Sequence, residues 1–277
     1  LDGRASAEGN RVTSHEVSDD QLPRGAGDAP DVAPVPAASV ILLRDAPNVP
    51  PATVAPVTVA PAARRLDRRR PGGDSNSRLE VLMMRRHAKS SFVPDAWVFP
   101  GGTVEASDRE LGDGTEISTM CVAAIRELFE ESGIWLGAPL ADADRKRRAL
   151  LAGELTFASL AREASLDLDA LVLTSRWVTP IGVPKRFDTC FFLAIAGSDA
   201  IASVDNGEDG EAVEVRWITP AAAIETLPIV FPTLKNLEAL AGFETAKQLL
   251  DSRRGIDIPT TRPVLVFENG KKKIILP

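Results

Sequence analysis

Apolar positions recur along the chain in two rhythms. Ser39-Val40-Ile41-Leu42-Leu43 and Leu79-Glu80-Val81-Leu82-Met83-Met84 are short, nearly continuous apolar runs, which predict buried strands. Trp97-Val98-Phe99 predicts a third, short strand that ends in Pro100-Gly101-Gly102. Trp177-Val178 and residues 189–196 read as strands too, and Val213, Val215 and Trp217 alternate with Glu214 and Arg216 as a half-buried strand does. Between these, the rhythm changes to that of a helix. Residues 118–132 predict one, with Ser118 or Thr119 as its cap and Gly133 just past its end. Residues 142–170 look helical and charged. Thr219-Pro220 opens a short helix with proline at the first helical position, and Leu234, Leu237, Leu240 and Ala241 keep helical spacing. Val264 to Phe267, Asn269-Gly270 and Ile274-Ile275-Leu276 predict a terminal hairpin. Strands and helices intermix, so the class is α/β or α+β around one mixed sheet.

Two stretches break the pattern. Residues 1–37 hold Gly, Pro, Ala and Asp with few large apolar side chains, too little to offset backbone ordering, and a disordered tail is expected there. Residues 46–77 carry six prolines, the basic run Arg64, Arg65, Arg68, Arg69, Arg70, and then Gly72-Gly73, which predicts a loop insertion. Residues 38–277 then form one domain, with 140–172 as a helical insert.

Composition narrows the function classes. Among 277 residues, 39 acids against 32 bases leave a net charge of −7, which argues against a nucleic-acid binder held by phosphate neutralisation. The solvated basic run at 64–70 does not reverse that. Cys121 and Cys190 are the only cysteines, too few for a disulfide framework, and both lie in apolar segments as packing residues. His15 and His87 are the only histidines, which weakens zinc and Ser-His-Asp chemistry. No apolar run spans a bilayer and residues 1–37 show no secretory apolar core, so a cytoplasmic protein without a membrane partner is expected.

Candidate chemistry lies in Gly101-Gly102-Thr103-Val104-Glu105 and in Arg126-Glu127-Leu128-Phe129-Glu130-Glu131-Ser132-Gly133-Ile134. On a helix, Glu127, Glu130 and Glu131 stand at i, i+3 and i+4 and share one face, while Ile125, Leu128 and Phe129 share the buried face. Like charges so placed repel by a few tenths of a kcal/mol per pair. Arg126 offsets Glu130 at i+4. A solvated acidic face and a site for a hard cation both fit this spacing, and oxygen-only ligands suit Mg²⁺ or Mn²⁺ rather than zinc.

These residues resemble the Nudix box, in which a glycine precedes an acid and then Arg-Glu-apolar-x-Glu-Glu-x-Gly-apolar. Every specified position of the second half is matched from Arg126 to Ile134. Two departures stand out: Asp108 replaces the usual glutamate, and seventeen residues separate it from Arg126 where seven are usual. The resemblance leaves the role of Asp108 open. Trp97 to Gly102, Trp177-Val178-Thr179-Pro180, and Arg186-Phe187-Asp188-Thr189 with Phe191-Phe192 resemble the branch that includes peroxisomal coenzyme A diphosphatases.

The resemblance implies a Nudix fold, a mixed sheet between helices, and metal-dependent hydrolysis of a nucleoside diphosphate linked to another group, with coenzyme A or acyl-coenzyme A favoured. It implies that Glu127, Glu130 and Glu131, with the Gly101 carbonyl, hold Mg²⁺ or Mn²⁺, that Gly101 and Gly102 let the backbone come close to metal and substrate, and that Arg126 orients the glutamates. Glu211, six residues before Trp217, is the best match for a further ligand or base, with Glu208 and Asp209 as competitors. Lys185 and Arg186 are candidates for substrate phosphates, and an Arg186–Asp188 ion pair is the alternative. Of Arg85 and Arg86, adjacent on a strand, at most one points into a cleft. Hydrolysis of ADP-ribose or NADH, and a silent nucleotide-binding sensor, are the rival functions. The expected partner is a small nucleotide, and a homodimer stays open.

Overall fold

The computed structural model describes residues 13–17, 22, 26, 29–46, 79–90, 93–197, 200–204, 212–269 and 271–276. Strand β2 (Val35–Asp45) organises the sheet because both of its edges are used along much of its length. One edge runs parallel to β7 (Phe187–Ile195), from Val35 opposite Phe187 to Leu43 opposite Ile195. The other edge is divided. Residues 37–39 pair antiparallel with β5 (Gly101–Thr103), and residues 43–45 with β3 (Leu79–Arg86). Beyond β3 come β4 (Trp97–Val98) and β8 (Ala212–Ile218). Beyond β7 come β6 (Val172–Val178) and β9 (Thr260–Thr261). The sheet is mixed, as the intermixed pattern predicts.

Alternation along β2 builds two cores. Ala38, Val40 and Leu42 meet Ile125 and Leu128 of helix α2 (Glu116–Ser132) on one face. Ile41 and Leu43 join Phe231 and Leu237 of α6 (Phe231–Leu240) and Leu249 of α7 (Ala246–Arg253) on the other. All of these β2 and α2 side chains are at most 1% exposed, which explains why the strand reads as a continuous apolar run.

Helix α2 begins three residues before the expected caps. Thr115, not Ser118 or Thr119, accepts the Ser118 N–H, and Ser118 and Thr119 lie inside the helix. Its end is as predicted: Gly133 sits at φ 77° and donates its N–H to the Phe129 carbonyl. Helices α3 (Ala143–Leu151) and α4 (Phe157–Glu163) lie in the charged stretch 142–170, and α5 (Pro220–Thr226) starts at the Thr219-Pro220 cap. A short helix without an apolar rhythm, α1 (Ala106–Leu111), follows β5 and carries Asp108. The terminal hairpin is β10 (Val264–Glu268) and β11 (Lys271–Leu276), with Asn269 left-handed at φ 53°.

The expected tail is different from the reading above. Residues Thr13–Glu16 form β1 and pair antiparallel with β11, while Val17, Leu22 and Ala26 are buried. Strand β2 also starts at Val35, inside the 1–37 span. Isolated apolar residues in a polar stretch give no local rhythm, and β1 owes its place to a partner more than 250 residues away in sequence. The Pro/Arg-rich stretch 46–77 lies outside the described residues apart from Ala46. Among the described residues, no helix is long and apolar enough to cross a membrane.

Deleting residues 1–30 removes β1 and the buried Val17, Leu22 and Ala26. Burying a Val or Leu side chain contributes about 1.5–3 kcal/mol, so the melting temperature should fall by at least about 5 °C. Calorimetry on the truncated and full chains checks this, and an unchanged melting temperature would show that the segment contributes nothing.

Candidate active site

Arg126 is 2% exposed, and a buried guanidinium must be paired on every side. Its Nε and one terminal nitrogen donate to both oxygens of Asp108 at 2.9 Å, and the same terminal nitrogen donates to the Thr103 carbonyl at 2.8 Å. The other terminal nitrogen donates to Glu127 at 2.9 Å and to Glu130 at 3.1 Å. Burial works against its charge, but the hydrogen bonds to Asp108 and the carboxylates of Glu127, Asp108 and Glu130 outweigh that and raise its pKa. Arg126 therefore orients glutamates, as the resemblance implies, and its own anchor is Asp108.

Asp108 is fully buried at the third position of α1. It also accepts the Glu105 N–H at 2.8 Å, completing a capping box with the Glu105 side chain. The longer spacing between Asp108 and Arg126 is taken up by the rest of α1 and the turn into α2, so the two residues still meet.

The two glycines work through close approach. A Cβ at Gly102 would collide with the Glu127 carboxylate, and one at Gly101 would collide with the Ala38 carbonyl and Ser39 Cα. The Gly101 N–H donates to Glu131 at 2.8 Å. Face-sharing on α2 thus brings Glu127 and Glu131 onto β5, with Glu130 beside Arg126. Burial pushes the Glu130 pKa up, against the lowering effect of Arg126. Among the described residues, no group of three acidic, histidine or cysteine side chains closes on one point as a finished metal cage. The donor chemistry nevertheless fits a hard cation: the carboxylates are adjacent, all donors are oxygen, and burial of Glu130 is a cost that a bound cation would offset.

Glu127, Gly101 and Gly102 line a cavity of about 580 Å³. Lys185, Arg86 and Lys89 line it too. Of the adjacent arginines, Arg86 lines the cavity and donates to Ser90 at 2.9 and 3.1 Å, while Arg85 pairs with Asp95 and Glu214 at 3.3 Å. Strand alternation thus separates them. Lys185 places its ammonium 5.2 Å from the Phe187 ring.

Arg186 is placed otherwise. It donates to Asp31 at 2.5 Å, to the Val32 carbonyl at 2.7 Å and to the Thr179 carbonyl at 3.0 Å, and it does not line the cavity. The alternative Arg186–Asp188 pair is corrected as well. Asp188 accepts two hydrogen bonds from Arg176, at 2.8 and 2.9 Å. Glu211, Glu208 and Asp209 lie outside the described residues.

Sequence reasoning missed Arg147, from α3. It donates to the Glu130 carbonyl at 2.9 Å and to the Ser203 carbonyl at 3.0 Å. Nothing in the run Arg145-Lys146-Arg147-Arg148 marks which cation turns inward. The cysteines are packing residues, as expected: burial pushes the Cys121 thiol up to about 12 and the Cys190 thiol up to about 11.

Residues 73–238 match the family model described as the NUDIX domain. The chain is similar to the acyl-coenzyme A diphosphatase NUDT19 of Xenopus laevis, at 28% identity over 215 residues, covering 55% of this chain and 56% of that protein. The protein of the same name from Gallus gallus is 28% identical over 214 residues, covering 53% and 55%. The chain spans about half the length of these curated relatives. Among solved structures it resembles a NUDIX hydrolase from Alicyclobacillus acidocaldarius with a TM-score of 0.61 and 23% identity, over 79% of this chain and 96% of that one. That likeness bears on the fold.

Removing Asp108 leaves the Arg126 charge buried with its main partner gone. Breaking a buried pair from one side costs about 3–5 kcal/mol, so Asp108→Ala should shift the urea unfolding midpoint strongly downward. Asp108→Glu, which keeps the charge, should cost less. Equal midpoints for wild type and Asp108→Ala would remove Asp108 from this anchoring role.

Proposed function

The chain belongs to the Nudix family, and on that premise we propose that it is a metal-dependent hydrolase that cleaves the diphosphate of coenzyme A or acyl-coenzyme A. The carrying observation is that Glu127, held by Arg126 against Gly102, shares one cavity with Lys185, Arg86 and Lys89. The site therefore has acids suited to a cation and bases suited to phosphates within the same space. The name of the NUDT19 relatives supports the choice of substrate.

In this reading Glu127, Glu130 and Glu131, with the Gly101 carbonyl, hold Mg²⁺ or Mn²⁺. The ion, when bound, draws negative charge from the phosphoryl oxygens and makes a water molecule more acidic. The chain's own residues do the rest. Arg126 keeps Glu127 and Glu130 from swinging apart. The Gly101 N–H fixes Glu131. Lys185, Arg86 and Lys89 supply charge-assisted hydrogen bonds to substrate phosphates, which orients the diphosphate for attack. Glu211 is the candidate for the group that takes the proton from water. The water oxygen joins one phosphorus, and the bridging oxygen leaves with the other. Coenzyme A then yields adenosine 3′,5′-bisphosphate and 4′-phosphopantetheine.

Glu130→Gln or Glu131→Gln should lower kcat by at least about 100-fold with the fold preserved, since altering even groups behind a metal's ligands costs 10- to 100-fold. EDTA should abolish turnover, and Mg²⁺ or Mn²⁺ should restore it. A substrate panel of coenzyme A, acyl-coenzyme A, ADP-ribose and NADH, with products resolved by mass, checks the substrate. Full activity in EDTA would end the metal mechanism. A higher kcat/KM for ADP-ribose or NADH than for any coenzyme A species would end the substrate assignment and leave the hydrolase standing.

A further inference from the structure

The cavity is closed in part by residues that lie outside the matched span 73–238. Leu22 and Ile274 both line it. They are 7% and 3% exposed and belong to one apolar cluster with Val183, Trp177, Phe191 and Phe231, which line the cavity as well. Ile274 is set in β11, opposite His15 of β1 on one side and Leu265 of β10 on the other. The His15 ring lies 5.4 Å from that of Phe231, so the small sheet made by the two ends of the chain touches α6 at the cavity.

Described residues on either side of Leu22 in sequence are held in place. Before Leu22, β1 is paired with β11. After it, Asp31 and the Val32 carbonyl are held by Arg186, whose side chain is 10% exposed. Arg186 thus holds the chain at residues 31–32, beside Lys185, which lines the cavity.

We propose that Leu22 and Ile274 form the wall against which an acyl group on the substrate ends, so that these two residues, from segments far apart in sequence, set the acyl length accepted. This rests on the coenzyme A reading above. The chemistry of the wall favours such an occupant. Leu22, Val183 and Ile274 offer neither donor nor acceptor in their side chains, and a base, ribose or nicotinamide pressed against them would leave polar atoms unpaired. An acyl chain has no polar atoms to leave unpaired beyond its thioester. A wall packed this tightly also has little slack, so length is limited by shape. Arg186 acts as a positioning residue, through the segment it fastens and without touching substrate.

The test uses the full chain and measures binding without divalent metal, by calorimetry, for coenzyme A, hexanoyl-coenzyme A and dodecanoyl-coenzyme A. Hydrolysis with Mg²⁺ is measured separately on the same three. Leu22→Ala and Ile274→Ala should raise the dodecanoyl-to-hexanoyl affinity ratio, by about fourfold for each methylene the enlarged cavity admits. Leu22→Trp should lower that ratio. Arg186→Gln should flatten it toward equal affinity. Ratios are used because partial unfolding scales both affinities alike. The wall is overturned if the ratio is the same in wild type and in all four variants, or if no acyl-coenzyme A binds more tightly than coenzyme A itself. Chain-length-dependent binding without hydrolysis would defeat the hydrolase reading while the wall stands, and hydrolysis with unmoved ratios would do the reverse.

Discussion

The site depends on the need to pair one buried positive charge. Arg126 enters the interior as part of α2, and desolvation of a guanidinium is affordable only with excellent hydrogen-bond geometry. Its partners come from three separate pieces of chain: the Thr103 carbonyl at the end of β5, Asp108 in α1, and Glu127 and Glu130 in α2 itself. Satisfying the charge therefore fixes the strand that carries Gly101 and Gly102 relative to the helix that carries the glutamates. The close approach at Gly102 follows from this, because the Glu127 carboxylate held by Arg126 occupies the space where a Cβ would stand. A second arginine, Arg147, reaches the last turn of the same helix and accommodates the Glu130 carbonyl, which has no partner within the helix near its end. Both ends of the acidic face are thus held by cations that have no room to move.

What was legible in the sequence was what depends on near neighbours. The rhythm of β2 and α2 and the Gly133 stop are local facts, and the helix face shared by Glu127, Glu130 and Glu131 follows from helix geometry alone. The partners of charged residues were not legible. Arg186 beside Asp188 suggested an ion pair, yet Arg186 precedes the strand that carries Asp188, and the two find Asp31 and Arg176 instead. Asp31 is 155 positions from Arg186, and no spacing argument reaches that far. The same is true of β1, which is polar and acquires a strand's geometry only through β11. Asp108 is an intermediate case. Its place three residues after Glu105 is a capping signal that could have been read, but its burial comes from Arg126.

These long-range pairings also explain how an acidic chain presents a basic cavity. The net charge of −7 describes the field at a distance, whereas within a few ångströms the charges that matter are those without a neutralising neighbour. Arg126, Arg176 and Arg85 are each matched by carboxylates. Arg86 ends β3 and Lys89 lies on the turn after it, where Arg86 donates to a neutral serine and the Lys89 N–H donates to His87. Their charge is therefore directed at the cavity they line, together with that of Lys185. On the proposed reading, a diphosphate entering there would meet these cations on one side and Glu127 on the other, and a metal ion on the carboxylate would strengthen binding by removing its repulsion.

The cavity also shows how segments far apart in sequence can shape one site without supplying a reactive group. Strands β10 and β11 alone would be a hairpin with little to bury, and a two-stranded hairpin is marginal in water. Addition of β1 makes three strands, and the buried Ile274 ties them to the core beneath. Between β1 and β2 in sequence, Asp31 is held by Arg186 near the start of β2, where β2 runs beside β7. Leu22, earlier in that interval, is buried in the same cluster as Ile274. A change at Leu22 or Ile274 would alter that cluster without touching Arg126, Asp108 or the glutamates. On the proposed reading, substrate selection and hydrolysis would rest on different parts of the chain, so that one could vary while the other is held fixed by the buried charge.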